Sequence, residues 1–149
     1  GPQASGSSCF PEASPLIAPR VTAVIPTFNC AVLLGRCLAA LRIQKNVDIE
    51  ILVVDAGSTD GTRQAALHAG ARIIEAPRQG GNQEYQKGMG IREARGEFVL
   101  LVDSDNILPD EGWVARRLGL LDRHGEAAAA SPLRYRVDRA RRRSTAILP

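Results

Sequence analysis

Short β-branched or apolar runs alternate with stretches of helical periodicity from residue 21 to residue 124, and this alternation constrains the fold more than any other feature. Val21–Ile25 is such a run, ended by Pro26, and Ile49–Val54 is a second, ended by Asp55, Ala56 and Gly57. Between them Val32, Leu33, Leu34, Cys37, Leu38, Leu41 and Ile43 fall largely on one helical stripe, with Arg36, Arg42 and Lys45 off it. The pattern continues with a helix over 62–69 stopped by Gly70, a strand over 71–75, a helix over 83–94 and a strand over 98–102. A last helix is expected over 111–124, closed by Gly125 at a C-capping position. Strand and helix in strict alternation with short loops predict an α/β fold: an open, mostly parallel, Rossmann-like sheet with helices on both faces, joined right-handedly.

At 149 residues the chain has room for one core. With 44% hydrophobic and 23% charged residues it falls outside the disordered, collagen-like and coiled-coil classes. Pro2, Pro11, Pro15 and Pro19 predict a disordered arm over 1–20. Residues 1–8 lack a basic start and an apolar run, so they do not read as a secretory signal, and no apolar stretch approaches a membrane span. Cys9, Cys30 and Cys37 lack C-x-x-C spacing, which favours buried reduced thiols and a cytoplasmic setting. His68, His124, Trp113 and Met89 sit at helical positions where packing or exposure explains them without chemistry. The basic character lies in the tail, because residues 131–149 hold six arginines against Asp138 alone.

Ligands of open α/β sheets bind beyond the carboxyl ends of the strands. Three polar clusters fall there: Pro26, Thr27, Phe28 and Asn29; Asp55 to Asp60, including Gly57 and Ser58; and Asp103, Ser104, Asp105 and Asn106. Asp103 and Asp105 supply hard oxygen ligands suited to Mg²⁺ or Mn²⁺, although Asp and Asn also simply favour turns. Asp55 ends an apolar strand and must accept hydrogen bonds there, from the imide N–H of a uracil base or from neighbouring backbone. No dinucleotide glycine fingerprint and no Gly-Lys-Ser/Thr phosphate loop is present, so a metal is the expected phosphate holder.

The segments Val24–Asn29, Val53–Thr62, Gly88–Glu97 and Val102–Asn106 together resemble glycosyltransferase family 2, of the GT-A fold, in the family's order and spacing over roughly residues 21–135. The resemblance implies the nucleotide-sugar-binding half of a metal-dependent, inverting transferase that uses a nucleoside-diphosphate donor, a UDP-sugar being expected. It places Pro26, Thr27, Phe28, Asn29, Asp55, Gly57, Ser58, Lys87, Asp103 and Ser104 around the donor, with Asp55 on the base, Asp103 near ribose and metal, and Asp105 the principal metal ligand. Lys87 stands where the family usually has an arginine, Gly88 where asparagine is common, and Asn106 where a third aspartate is frequent.

Inverting relatives take their general base from a carboxylate well downstream, and neither Glu126 nor Asp138 sits in such a motif. The expectation is therefore a truncated GT-A unit, with residues 136–149 a basic segment of the acceptor half, that binds donor and transfers poorly. The acceptor class, whether glycan, lipid or small molecule, is left open. The arginine tail is compatible with peripheral contact at the cytoplasmic membrane face, and an uncovered apolar face with self-association; nucleic acid is not expected. The alternative is a non-catalytic nucleotide-sugar-binding or partner-binding module that lacks the base.

Overall fold

The computed structural model describes residues 18–78 and 82–124, with the backbone strands Arg134–Asp138 and Arg143–Ile147. The order is β1 (Val21–Thr27), α1 (Ala31–Arg42), β2 (Ile49–Asp55), α2 (Thr62–His68), β3 (Arg72–Glu75), α3 (Gln83–Glu93), β4 (Phe98–Leu101) and α4 (Trp113–His124). The four strands form one parallel sheet in the order β3-β2-β1-β4. Residues 134–138 (β5) and 143–147 (β6) pair antiparallel in a sheet of their own. The expected Gly125 cap, Cys9, and most of the N-terminal arm and of the basic tail lie outside the described residues.

The alternating strand side chains build a core on each face of the sheet. Ala23, Ile25, Ile51 and Val53 meet Leu34, Cys37, Leu38 and Leu41 of α1 and Ala66 of α2. Val24, Leu52 and Val54 point the other way and meet Met89 of α3. Trp113 and Val114 at the start of α4 close over Val21, with Phe98 and Leu100 beside them. The packing roles expected for Cys37, Met89 and Trp113 are those observed.

Pro26 does not end β1 as the sequence predicts: it lies inside the strand, opposite Val54. In β1 the carbonyl of Thr27 accepts from Ala56 on the β2 side, whereas that of Val24 accepts from Val102 on the β4 side. By alternation Pro26 faces β4, whose pairing with β1 has already stopped at Leu101, so no ladder bond needs the missing N–H.

β4 is less buried than its sequence suggests, because α3 packs over β1 and β2 and leaves Val99 and Leu101 exposed at 38% and 48%. Arg20, the expected end of the arm, is instead held in the fold: its carbonyl accepts from Phe98 N–H, and its guanidinium pairs with Glu97 and, at 2.6 Å, with Asp122.

Two glycines set how closely the pieces approach. A Cβ on Gly90 of α3 would stand 2.2 Å from Val24 Cγ1, and one on Gly96 would stand 2.5 Å from the backbone nitrogen of Thr22. Neither neighbour is a flexible chain end, so only glycine lets α3 and the α3–β4 turn lie this near the sheet.

A cavity of about 510 Å³ opens at the amino-terminal edge of the sheet, lined by residues that include Leu41, Gln44, Ile49, Glu50, Arg72 and Arg95. It lies at the opposite edge from the strand-end clusters. Glu50 there accepts from Thr22 Oγ1 at 2.7 Å and from Arg72 Nε at 2.9 Å, so its charges are matched within the fold.

Candidate functional site

The carboxyl ends of β1 and β2 are tied together by side chains that the sequence places in separate clusters. Asp55, fully buried, accepts from Thr27 Oγ1 at 2.8 Å, from Ser58 N at 2.9 Å and from Ser58 Oγ at 2.5 Å. Arg63 stands 3.7 Å from Oδ2, the oxygen that takes the Ser58 N–H, while both hydroxyls reach Oδ1. The hydrogen bonds that this carboxylate accepts come from the chain itself, and each oxygen is engaged by the fold.

The lacing extends to the next loop. Asn29 adopts a positive φ of 45°, a conformation asparagine tolerates, and its Oδ1 accepts from Thr59 N at 2.8 Å. Its own N–H donates to Ser58 Oγ at 2.9 Å. Asp60 accepts from Ala31 N in the first turn of α1 and from Thr62 N in the first turn of α2. Gly57 takes φ of +81°, which a side chain would strain. The loops after β1 and β2 thus form one rigid ledge, on which Phe28 is the exposed apolar surface at 44%. The guanidinium of Arg78 lies 5.0 Å over the Phe28 ring.

Gln86 and Arg78 escaped the sequence reading. Gln86 is buried in α3, and its Nε2 donates to the carbonyls of Thr27 at 3.0 Å and Val54 at 2.8 Å, at the carboxyl ends of both strands. Its only sequence signal is a position on the same helix face as Gly90, four residues on.

Across the ledge, Lys87 reaches the turn after β4. Its Nζ lies 3.1 Å from Asp103 Oδ1 and 3.3 Å from Glu84 Oε1, with 17% of the side chain exposed. Burial pulls the Lys87 ammonium toward deprotonation, but the contacts with Asp103 and then Glu84 outweigh it and hold its pKa above the ordinary value. The Asp103 carbonyl accepts from Asn106 N at 2.9 Å, which closes the turn through Ser104 and the exposed Asp105. The Cys37 thiol lies beneath the same carbonyl at 3.8 Å; burial, then the charges of Asp105, Cys30 and Asp103, push its pKa up to about 12, so it stays a thiol.

Asp103 Oδ1 is buried, and the Lys87 ammonium at 3.1 Å is the one partner it has among the described residues. No cluster of three or more His, Cys, Asp or Glu residues gathers among the described residues. A divalent ion here would draw on Asp103 and Asp105 and take its remaining oxygens from phosphate and water, the manner in which Mg²⁺-like ions are commonly held. The donor set fits such an ion.

The family profile "Glycosyl transferase family 2" matches residues 22–148. The chain belongs to glycosyl transferase family 2. Among curated relatives, glycosyltransferase GlyG of Streptococcus pneumoniae is 32% identical over 95 residues, covering 60% of this chain and 31% of that protein. The GalNAc(5)-diNAcBac-PP-undecaprenol beta-1,3-glucosyltransferase of Campylobacter jejuni is 31% identical over 96 residues, with 60% of this chain and 31% of that one covered. The chain thus spans about a third of the length of these relatives.

Among solved structures, the mannosyltransferase PcManGT of Pyrobaculum calidifontis, in complex with GDP-Man and Mn²⁺, superposes with a TM-score of 0.63 at 29% identity, covering 72% of this chain and 33% of that one. TarS 1-349 of S. aureus in complex with UDP-GlcNAc gives 0.64 at 26% identity, with 71% and 32% covered. The four-stranded parallel sheet and its helices are the GT-A type of fold expected of a family 2 member.

Proposed function

We propose that this chain forms the nucleotide-sugar-binding half of a metal-dependent, inverting glycosyltransferase whose donor is a nucleoside-diphosphate sugar, a UDP-sugar in the first instance. The observation that carries the reading is the convergence of Lys87, Asp103 and Asp105 on one strand-end turn beside the Thr27–Asp55–Ser58 ledge. Structural neighbours bound to GDP-Man with Mn²⁺ and to UDP-GlcNAc support the donor class.

In this reading the exposed face of Phe28 takes the base by stacking. Asp55 acts by holding Thr27 and Ser58 in place, and meets the base only where the ledge opens to it. Asp103 and Asp105 would hold Mn²⁺ or Mg²⁺, which when bound offsets charge on the departing diphosphate. Lys87 adds a second positive charge on the same side. An acceptor hydroxyl would attack the anomeric carbon from the opposite face, and the base that takes its proton would be none of these carboxylates: Asp55 is enclosed by its hydrogen bonds, and Asp103 and Asp105 would be taken up in holding the ion. The acceptor, a glycan, lipid or small molecule, would approach from outside the donor ledge. A cytoplasmic setting, with contact to the membrane face through the basic tail, accords with this role.

Thermal shift tests the core of the proposal. UDP or a UDP-sugar should raise the melting temperature with Mn²⁺ and fail to do so in chelator. An equal shift in chelator would remove the metal from the mechanism, and a response to GDP alone would move the donor to a guanine nucleotide.

A further inference from the structure

We propose that Lys87 is the resident counter-ion of Asp103: it competes with a divalent cation for that carboxylate and moves to the donor's diphosphate once the cation is in place. The inference rests on the metal-assisted reading above and adds the residue that sets the order of loading.

Asp103 Oδ1 is shut away from water, a costly state for a carboxylate oxygen without a nearby positive charge. Lys87 supplies that charge at 3.1 Å, and no other cation of the described residues comes within ion-pairing distance of Asp103. An ammonium and a divalent ion on the same carboxylate repel each other strongly at such separations. The metal therefore binds Asp103 only at the cost of the Lys87 contact, unless new negative charge arrives to receive the ammonium.

Lys87 is built to change partners. Its backbone is fixed in α3, its head already lies between Asp103 and Glu84, and Glu84, one turn earlier on the same helix, is 80% exposed. A flexible stem with a compact charge suits transfer between oxygens. Metal alone should then bind weakly, nucleoside diphosphate alone should bind weakly, and the two together should bind well, because the diphosphate takes the ammonium that the metal displaces.

The test is Mn²⁺ binding without nucleotide, followed by loss of the free aquo-ion signal in electron paramagnetic resonance, for the wild-type chain, Lys87→Met and Lys87→Gln. Both variants should bind Mn²⁺ about threefold to tenfold more tightly than wild type, the range expected when a partly exposed ion pair no longer competes. Calorimetry with UDP in saturating Mn²⁺ should move the other way, with affinity falling roughly tenfold in both variants, while Lys87→Arg stays near wild type in both measurements. Wild-type binding of Mn²⁺ with unchanged or weaker affinity in Lys87→Met and Lys87→Gln overturns the competition and leaves the metal reading standing. Failure of all the proteins to bind Mn²⁺, with or without UDP, overturns the metal reading and this inference with it.

Discussion

Thr27 Oγ1 donates to Asp55 Oδ1 over 2.8 Å and so joins the last residue of β1 to the last residue of β2, with both side chains buried. That bond, with the two from Ser58, makes Asp55 a structural keystone of the ledge as well as a candidate for base contact.

Asp55→Asn should therefore destabilise the free protein. The amide turns one acceptor oxygen into a donor facing Thr27 and Ser58, at a cost of about 1–3 kcal/mol for a mispaired buried group. Urea unfolding without ligand measures it. Wild-type stability together with weakened UDP binding would assign Asp55 to the ligand alone.

Gln86 offers a cleaner case, because nothing beyond the fold asks for it. Gln86→Ala removes one hydrogen bond each from the carbonyls of Thr27, which keeps its bond from Ala56 N, and Val54, and at about 0.5–1.5 kcal/mol per bond should cost about 1–3 kcal/mol in all. Gln86→Glu should be worse at neutral pH than at low pH, since an ionised carboxylate cannot donate and a protonated one can. A urea midpoint for Gln86→Glu that does not improve on acidification would show that the two carbonyl contacts carry little.

These two residues mark where sequence reading stops. Periodicity gave the alternation of strands and helices and the face each helix buries, because both follow from local spacing. The polar clusters at the strand ends were visible as turn-forming residues after apolar runs. What stayed hidden depends on partners far along the chain: Gln86 acts on Thr27 across 59 residues, and Thr22 accepts from Gly96 N across 74. Pro26 reads as a strand breaker until the early end of β4 is known. The enclosure of Asp55 is likewise invisible until Ser58 folds back onto it and Thr27 lies alongside.

The amino-terminal edge predicts a pH response. Burial raises the pKa of Glu50, but hydrogen bonds from Thr22, Arg72 and Arg95 and the charge of Arg72 lower it further, and the net value lies below the ordinary 4.5. A carboxylate whose folded pKa is depressed adds stability that is present above the unfolded value and disappears as pH falls through the folded one. Stability should thus be lost on acidification below about 4.5. Glu50→Gln should flatten that loss in urea titrations at successive pH values, and an unchanged slope would show that other carboxylates govern acid unfolding.

Gly90→Ala tests the close approach of α3. In an exposed helix the change would stabilise, since alanine is the better helix former. Here the added Cβ would meet Val24 Cγ1 at 2.2 Å and Val54 Cγ2 at 3.1 Å, so overpacking should win by about 1–3 kcal/mol. Because α3 carries both Gln86 and Lys87, UDP affinity should fall as the helix is pushed outward. A more stable Gly90→Ala would show that the gap between α3 and the sheet has room for a methyl group.

Asp105→Ala separates ligand chemistry from folding. Asp105 is exposed in a turn that Asn106 closes through the Asp103 carbonyl, and no described side chain donates to its carboxylate. Its removal should therefore leave the urea midpoint within about 0.5 kcal/mol of wild type, the usual range for surface positions. Metal-dependent UDP binding should nonetheless fall steeply, because an ion held by two protein carboxylates loses half of its protein ligands. Asp103→Ala should behave differently: it strips the counter-charge from Lys87 as well as a ligand from the ion, so some stability should go with the affinity. If Asp105→Ala unfolds cooperatively at lower urea while each folded molecule still binds UDP and Mn²⁺ as before, the aspartate pair holds the turn and the metal lies elsewhere.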